Sequence, residues 1–415
     1  MKLLSRLLTE FVSKGVLRVY DAQGRMHEFT GAEDGPTVTI RIHDAALYTR
    51  LFLAPDVRFA EAYMDGALTF EDGTDLYDFL LFYHLNKSGL RKHPLQKVLK
   101  SLRKKLKRLH QHNPRSRSEK NVAHHYDLST EMYKLFLDKD LQYTCAYYND
   151  PETETLEQAQ LNKKRLVCAK LKIRDGMSIA ELGCGWGGFA LYLAQVADVK
   201  VTSVNISKEQ IAFARDRAKA LGVEDRVDFR LMDYRDLTGQ YDRVVSIGMM
   251  EHVGIGHYDE FFGQFNKLMK PDGAGFVHSI GRMNVPGATN PFIRKYIFPG
   301  GHVPSYSEFI DAFERNRFWL TDSEVLRKHY HYTLMEWRKR FLANWDKAAD
   351  IYDERFCRMW EFYLTGTALG FLHARNMVFH LTFTKQIGTL PITRDYIWRE
   401  MERLRKKEER AGISL

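Results

Sequence analysis

The chain carries two hydrophobic rhythms. Across residues 1–90, apolar and polar positions alternate at 16–20 and 37–42, the period of half-buried strands, while 45–53 and 76–85 follow helical spacing. Ahead of them Leu3, Leu4, Leu7, Leu8 and Phe11 fall on one face of a helix whose other positions include Arg6, Glu10 and Lys14. This mixture predicts a small N-terminal α+β domain. Beyond residue 121, strands at 178–182, 200–205, 226–231, 241–248 and 274–280 alternate with helices at 187–196, 208–221 and 258–269. Alternation at these lengths predicts a parallel sheet with crossover helices, a doubly wound α/β core. Residues 281–335, rich in glycine, proline and aromatics, break the pattern and read as a lid. Helical spacing then dominates until a strand at 377–383, and the densely charged helical pattern from Thr393 onward reads as a solvated tail. The chain therefore divides at 1–90, 91–120, 121–390 and 391–415.

Between the first two regions the pattern changes character. Residues 91–120 hold twelve Lys or Arg and a single acid, Glu119. Within them Leu95, Val98, Leu99, Leu102, Leu106 and Leu109 recur at helical spacing, and Lys97, Lys100, Arg103, Lys104, Lys105, Lys107 and Arg108 cover the remaining faces. This is a basic amphipathic helix followed by a polar linker. Such helices lie in the interface of anionic bilayers. Single-stranded nucleic-acid binders interleave aromatics with their cations to stack bases, and this segment offers only leucine and valine, so lipid is favoured over RNA. A linker helix with a solvated face is the blander alternative.

Composition narrows the picture further. The net charge of +9 favours anionic partners. No apolar run approaches the roughly 20 residues needed to span a bilayer, and the charged residues among the first fifteen break any signal-peptide core. The expectation is a cytoplasmic protein held peripherally on the inner face of a membrane. Cys145, Cys168, Cys184 and Cys357 are far apart, with no CxxC pair, so neither a metal site nor a disulfide framework is indicated. Sequence leaves the oligomeric state open, and a homodimer docked on one membrane is compatible with it.

The strongest chemical signal is the segment from Ile179 to Gly188, where Glu181, Gly183, Gly185, Gly187 and Gly188 follow a strand and open a helix. Glycines there let a ligand approach the backbone at a helix N-terminus. A dinucleotide site needs a ribose-binding acid about 20 residues on, and the second strand ends at Asn205 with none. Glu181, two residues before the first glycine, suits the ammonium of an amino-acid-bearing cofactor, which points to S-adenosylmethionine. Asn205 and Gln210 are placed for ribose hydroxyls, and Asp233 and Tyr234 for adenine. A glycine turn serving only helix packing is the duller alternative.

Several separated motifs carry a family resemblance. They are His124-His-Tyr-Asp-Leu128, Tyr143-Thr-Cys-Ala-Tyr147, Glu181 to Gly188, Gly248-Met-Met-Glu-His-Val253, His278-Ser-Ile280, Lys295-Tyr-Ile-Phe-Pro299 and Tyr330 to Trp337. In this order, over about residues 121–385, the chain resembles cyclopropane fatty acid synthases and the related mycolic acid cyclopropane synthases. The resemblance implies a Rossmann-like class I methyltransferase core with helical lid insertions. It also implies methyl transfer from the sulfonium of S-adenosylmethionine to a cis double bond in a phospholipid acyl chain, then loss of a proton and ring closure.

The family's base is a bound bicarbonate, and the resemblance assigns its cradle to Cys145, Glu251, His278, Ile280 and Tyr330. Backbone amides at Cys145 and Ile280 are expected to donate to the anion, with Tyr330 and His278 adding side-chain donors. Glu251 either accepts the anion's proton or orients His278. Tyr143 and Thr144 are expected beside the cofactor. Some family members carry cysteine at the place of Thr367, which removes thiol chemistry from that position here. Phe292, Phe298, Phe309, Trp319, Trp337, Phe341 and Trp360 are candidates for an acyl channel or for ordinary core. The alternatives are a methylated or methyl-branched lipid as product, and a lipid-binding protein without turnover.

Overall fold

A computed structural model describes residues 1–90, 128–287 and 289–413. The basic amphipathic segment, its linker and the motif from His124 to Asp127 lie outside the described residues. Strand alternation and helical spacing resolve into two compact units. The smaller holds residues 1–90, 289–299 and 334–375, and the larger holds 128–287, 300–333 and 376–413.

In the smaller unit, β1 (Lys14–Tyr20), β2 (Met26–Thr30), β3 (Glu33–Ile42) and β4 (Leu68–Glu71) form a sheet in the order β2-β1-β3-β4. The N-terminal helix Lys2–Phe11 buries Leu4, Leu7 and Phe11 and leaves Leu3 exposed. Residues 334–375 were expected with the catalytic domain, and the structure groups them with the first 90 residues instead. The helix Glu354–His373 explains this. Its Glu361 accepts a 2.6 Å hydrogen bond from the Tyr63 hydroxyl, and its Phe362 meets Phe59. Residues 289–299 join the same unit through Lys295 and Tyr296, both bonded to Glu61, and through Phe292 packed edge-on against Phe362. Phe292, Trp337, Phe341 and Trp360 are therefore buried in this unit.

The larger unit is built on a seven-stranded sheet in the order β10-β11-β9-β8-β5-β6-β7. Its strands are β5 (Ser178–Leu182), β6 (Lys200–Asn205), β7 (Val227–Leu231), β8 (Tyr241–Ile247), β9 (Met269–Arg282), β10 (Trp319–Leu326) and β11 (Asn376–Thr384). The first five pair in parallel, and β10 and β11 close one edge antiparallel. The helices Gly188–Val196, Lys208–Ala220 and Tyr258–Leu268 make the crossovers. This is the doubly wound arrangement that the periodicity predicts and the Rossmann-like core that the resemblance implies, and its functional edge lies at the carboxyl ends of β5, β6 and β8.

Two expectations are corrected here. Residues 281–335 are not wholly a lid, because β10 completes the sheet and the helix Tyr306–Arg315 buries Phe309, Ala312 and Phe313 in the core beneath β11. Phe309 packs edge-on against Phe379, whereas Trp319 stands half-exposed on the edge strand, so neither belongs with the buried aromatics of the smaller unit. Nor is the C-terminal segment a solvated tail. The helix Asp395–Arg410 buries Ile397, Met401 and Leu404 against the core that includes the helices Leu156–Lys170 and Gly188–Val196. Its Glu408 takes a bidentate ion pair from Arg165 and a hydrogen bond from the Tyr192 hydroxyl. No helix among the described residues is long and apolar enough to cross a membrane.

Candidate active site

A cleft opens at the carboxyl ends of β5, β6 and β8, and its walls include Tyr143, Thr144, Glu181, Gly183, Gly185, Asn205, Gln210, Asp233 and Tyr234. All nine residues read from sequence as cofactor ligands thus converge on one cavity. Gly183 sits at φ +88° with Met249 pressed against the place a side chain would take, so only glycine lets the loop turn there. Gly187 is equally confined, at φ +82° against Phe229 and Ala214.

Glu181 is buried at 2% exposure and accepts a 2.7 Å hydrogen bond from Ser203, its cross-strand neighbour on β6. Burial pushes its carboxyl up to about 7. Its charge is therefore costly until a cation arrives. Asn205 spends its side chain locally: the amide donates to Gln210 at 2.7 Å, and the carbonyl oxygen accepts from the Ile206 amide at 2.8 Å. Gln210 Nε2 is buried and has no hydrogen-bond partner among the described residues, which leaves a donor for a ligand on this wall. Asp233 is gripped by the Arg235 guanidinium, which also lies over the Tyr234 ring. Arg235 was not read from sequence.

The other wall is a loop clamped from behind. The helix Leu156–Lys170 presents Gln160, Lys163 and Lys164, spaced three and one apart, to residues 140–144. Gln160 donates to the Thr144 carbonyl at 2.9 Å, Lys163 donates to the Thr144 hydroxyl at 2.5 Å, and Lys164 pairs with Asp140 at 2.5 Å. Lys163 is fully buried, and desolvation pushes its ammonium down to about 7. Arg217 braces the same loop through Asp140. No motif marks these groups, because helical spacing alone makes them look like a solvated face.

The residues assigned by resemblance to an anion cradle are not among the lining residues of this cleft. Glu251, in the short helix Met250–Val253 after β8, accepts a 2.6 Å hydrogen bond from the Ile280 backbone amide on β9. The expected free amide at Ile280 is thus already engaged. Glu251 Oε2 is buried without a partner among the described residues, and burial pushes the carboxyl up to about 7. His278 lies two residues before Ile280 on the same face of β9. It is bonded to His380 at 2.9 Å, not to Glu251. Cys145 is fully buried, its thiol donating to the Ala146 carbonyl and held far above the usual range by desolvation. Tyr330 is 5% exposed, near the start of the helix His329–Ala343. That first turn is fixed to the Cys145 segment, since the Ala146 amide donates to Thr333 and the Tyr148 amide to His329 Nδ1. Thr367 lies in the helix Glu354–His373 of the smaller unit.

The chain runs continuously from the cleft into this buried polar group. Thr144 lines the cleft and Cys145 follows it; Met249, His252 and Val253 line it and flank Glu251. Burial pushes His252 down to about 4, so it faces the cleft neutral.

Comparison with known proteins places this geometry. Residues 113–381 match the model of the family described as mycolic acid cyclopropane synthetase. The cyclopropane-fatty-acyl-phospholipid synthase of Escherichia coli is 35% identical over 84% of this chain and 88% of its own. The tuberculostearic acid methyltransferase of Mycobacterium tuberculosis is 32% identical over 92% of this chain and 91% of its own. A crystal structure of a mycolic acid cyclopropane synthase complexed with SAH and CTAB superposes with a TM-score of 0.60 at 30% identity, covering 66% of this chain and 99% of that one. With its sheet, cleft and motifs shared at this level, the chain belongs to the mycolic acid cyclopropane synthetase family and is an S-adenosylmethionine-dependent methyltransferase.

Proposed function

We propose that the protein converts a cis double bond in the acyl chain of a membrane phospholipid into a cyclopropane ring. S-adenosylmethionine supplies the methyl carbon. One alkene carbon takes that methyl, S-adenosylhomocysteine departs with the sulfonium electron pair, and the neighbouring carbon becomes cationic. Loss of a methyl proton then closes the ring. An alkene is a weak nucleophile, so most of the acceleration must come from holding it in line. The cation must be kept from water.

The observation that carries this reading is the continuity of Thr144-Cys145 and Met249 to Val253 between the cleft and the buried polar group. That continuity supports a cofactor wall next to the residues assigned to the anion cradle. Glu181 would receive the ammonium, and Gln210 Nε2 would reach the ribose. A fit to the implied bicarbonate is supported by Glu251 Oε2, a buried oxygen without a partner among the described residues, on a carboxyl group held by the Ile280 amide two residues along β9 from His278. Bound there, bicarbonate would supply the base for the methyl proton. Glu251, with its carboxyl pushed up to about 7, can carry a proton at neutral pH and so donate to an anion.

The phospholipid substrate is supported by the 35% identity to a cyclopropane-fatty-acyl-phospholipid synthase. A second reading keeps cofactor and lipid but ends at a methylated chain, and the relative named as a tuberculostearic acid methyltransferase favours it. Incubation with methyl-labelled S-adenosylmethionine and vesicles of a cis-unsaturated phospholipid, followed by mass analysis of the acyl chains, separates them. One added CH2 with the double bond lost is the expected result. An added CH2 with the double bond retained establishes the second reading, and unchanged chains exclude both.

A further inference from the structure

β9 and β11 pair antiparallel with His278 directly opposite His380. The two rings meet, His278 Nδ1 lying 2.9 Å from His380 Nε2. Both side chains are buried, at 1% and 0% exposure. A hydrogen bond between two imidazole nitrogens needs one proton between them. Burial holds both rings well below the ordinary histidine range, and the ammonium groups of Lys163 and Lys170 add to the effect, so both rings are neutral at pH 7. Each ring then carries one proton, and only two arrangements keep the bond.

If His278 Nδ1 donates, the proton of His380 must sit on its own Nδ1. That nitrogen is buried and has no hydrogen-bond partner among the described residues, so the arrangement buries an unsatisfied N–H. If instead His380 donates from Nε2, its Nδ1 is a bare lone pair, which the field of Lys163 and Lys170 favours over a proton. Both rings then also hold the tautomer that neutral imidazole side chains prefer, with hydrogen on Nε2.

We infer that His380 is a positioning residue that fixes His278 as the Nε2–H tautomer, so that His278 offers the site a hydrogen-bond donor and not a base. This rests on the reading that places His278 in the anion cradle, where a donor is what an oxyanion requires. The logic is that of any partner that sets a functional imidazole by occupying its other nitrogen.

The test is nitrogen NMR of the 15N-histidine-labelled full-length protein, with the His278 signals assigned by their loss in His278→Gln. The expected spectrum shows a bare Nδ1 and a protonated Nε2 for His278. His380→Leu should erase that bias and lower kcat by about 10- to 100-fold, with KM for S-adenosylmethionine unchanged within about twofold. His380→Gln, whose amide can still donate to Nδ1, should recover most of the rate. A protonated Nδ1 in the unaltered protein overturns the inference, as does an unchanged kcat in folded His380→Leu. The tautomer is read without lipid, so a protein that shows the expected spectrum and forms no cyclopropane would defeat the proposed reaction and leave this assignment standing.

Discussion

Glu181 is held at a carboxyl pKa of about 7 by desolvation, with one hydrogen bond from Ser203 too weak to offset it. An ammonium can pair with it only as the carboxylate, so below pH 7 the cofactor must displace a proton. Affinity for S-adenosylmethionine should therefore fall about tenfold per pH unit between pH 7 and 5.5. Titration calorimetry at pH 6 in buffers of different ionisation enthalpy should record release of close to one proton. Affinity that stays flat across this range would place the ammonium elsewhere. The same burial sets a stability effect of opposite convenience. Because the folded value lies above the usual 4.5, the neutral carboxyl favours folding below that value, and this advantage is lost as pH rises through 7. Glu181→Gln should accordingly raise the stability of the ligand-free protein at pH 8.5, by up to about 3 kcal/mol in a denaturant titration, while weakening cofactor binding. Glu251→Gln should lower turnover by roughly 100-fold or more and leave the cofactor Kd within about twofold, measured by quench-flow and calorimetry. Glu181 was legible because a strand, four glycines and a helix frame it. Lys163 and His380 were not, because their partners lie 19 and 102 residues away, and no local spacing announces such contacts.

At the scale of elements, the C-terminal helix shows why charge density misleads. Ile397, Met401 and Leu404 form a stripe at spacings of four and three, yet the acids and bases between them read as solvent-facing. Glu408 is one of those acids, and it is buried with Arg165, the two side chains 4% and 6% exposed. Removing one member of such a pair strands the other charge away from water. Glu408→Ala should thus cost about 3–5 kcal/mol of stability, read from the midpoint of urea unfolding, whereas Lys406→Ala on the exposed side should cost under about 0.5 kcal/mol. Equal effects would mean that the helix is not seated through Glu408. The parallel strands β5, β6 and β8 were legible from short segments with valine, isoleucine or leucine alternating with helices at crossover lengths. β10 was not, since this edge strand exposes Trp319, Thr321 and Ser323 and buries the charged Asp322 beside Leu326, and so loses the apolar signature. The grouping of residues 334–375 with the N-terminal sheet was beyond sequence for another reason: it depends on Tyr63–Glu361 and Phe59–Phe362, pairs about 300 residues apart.

For the whole molecule, the proposed reaction requires that a protein with no helix long and apolar enough to cross a membrane among its described residues gain access to an acyl chain inside a bilayer. Its net charge of +9 is concentrated at seven Lys and Arg between residues 95 and 110, interleaved with six leucines and valines at helical spacing. Each cation near an anionic surface contributes about 1 kcal/mol before screening, so charge alone suffices for reversible attachment. The protein should sediment with vesicles rich in anionic phospholipid and be released as salt rises and the Debye length shrinks. Replacing Lys100, Lys104, Lys105 and Lys107 with glutamine removes roughly 4 kcal/mol of that attraction, and vesicle affinity at low salt should fall by two to three orders of magnitude. Cofactor affinity should stay within about twofold, measured by calorimetry. Turnover should then divide by substrate form: slow on intact vesicles, and close to the unaltered protein on the same lipid dispersed in detergent, where no charged surface has to be found. Equal binding to neutral vesicles would transfer the role from the cations to Leu95, Val98, Leu99, Leu102, Leu106 and Leu109, whose burial in the interface is indifferent to salt.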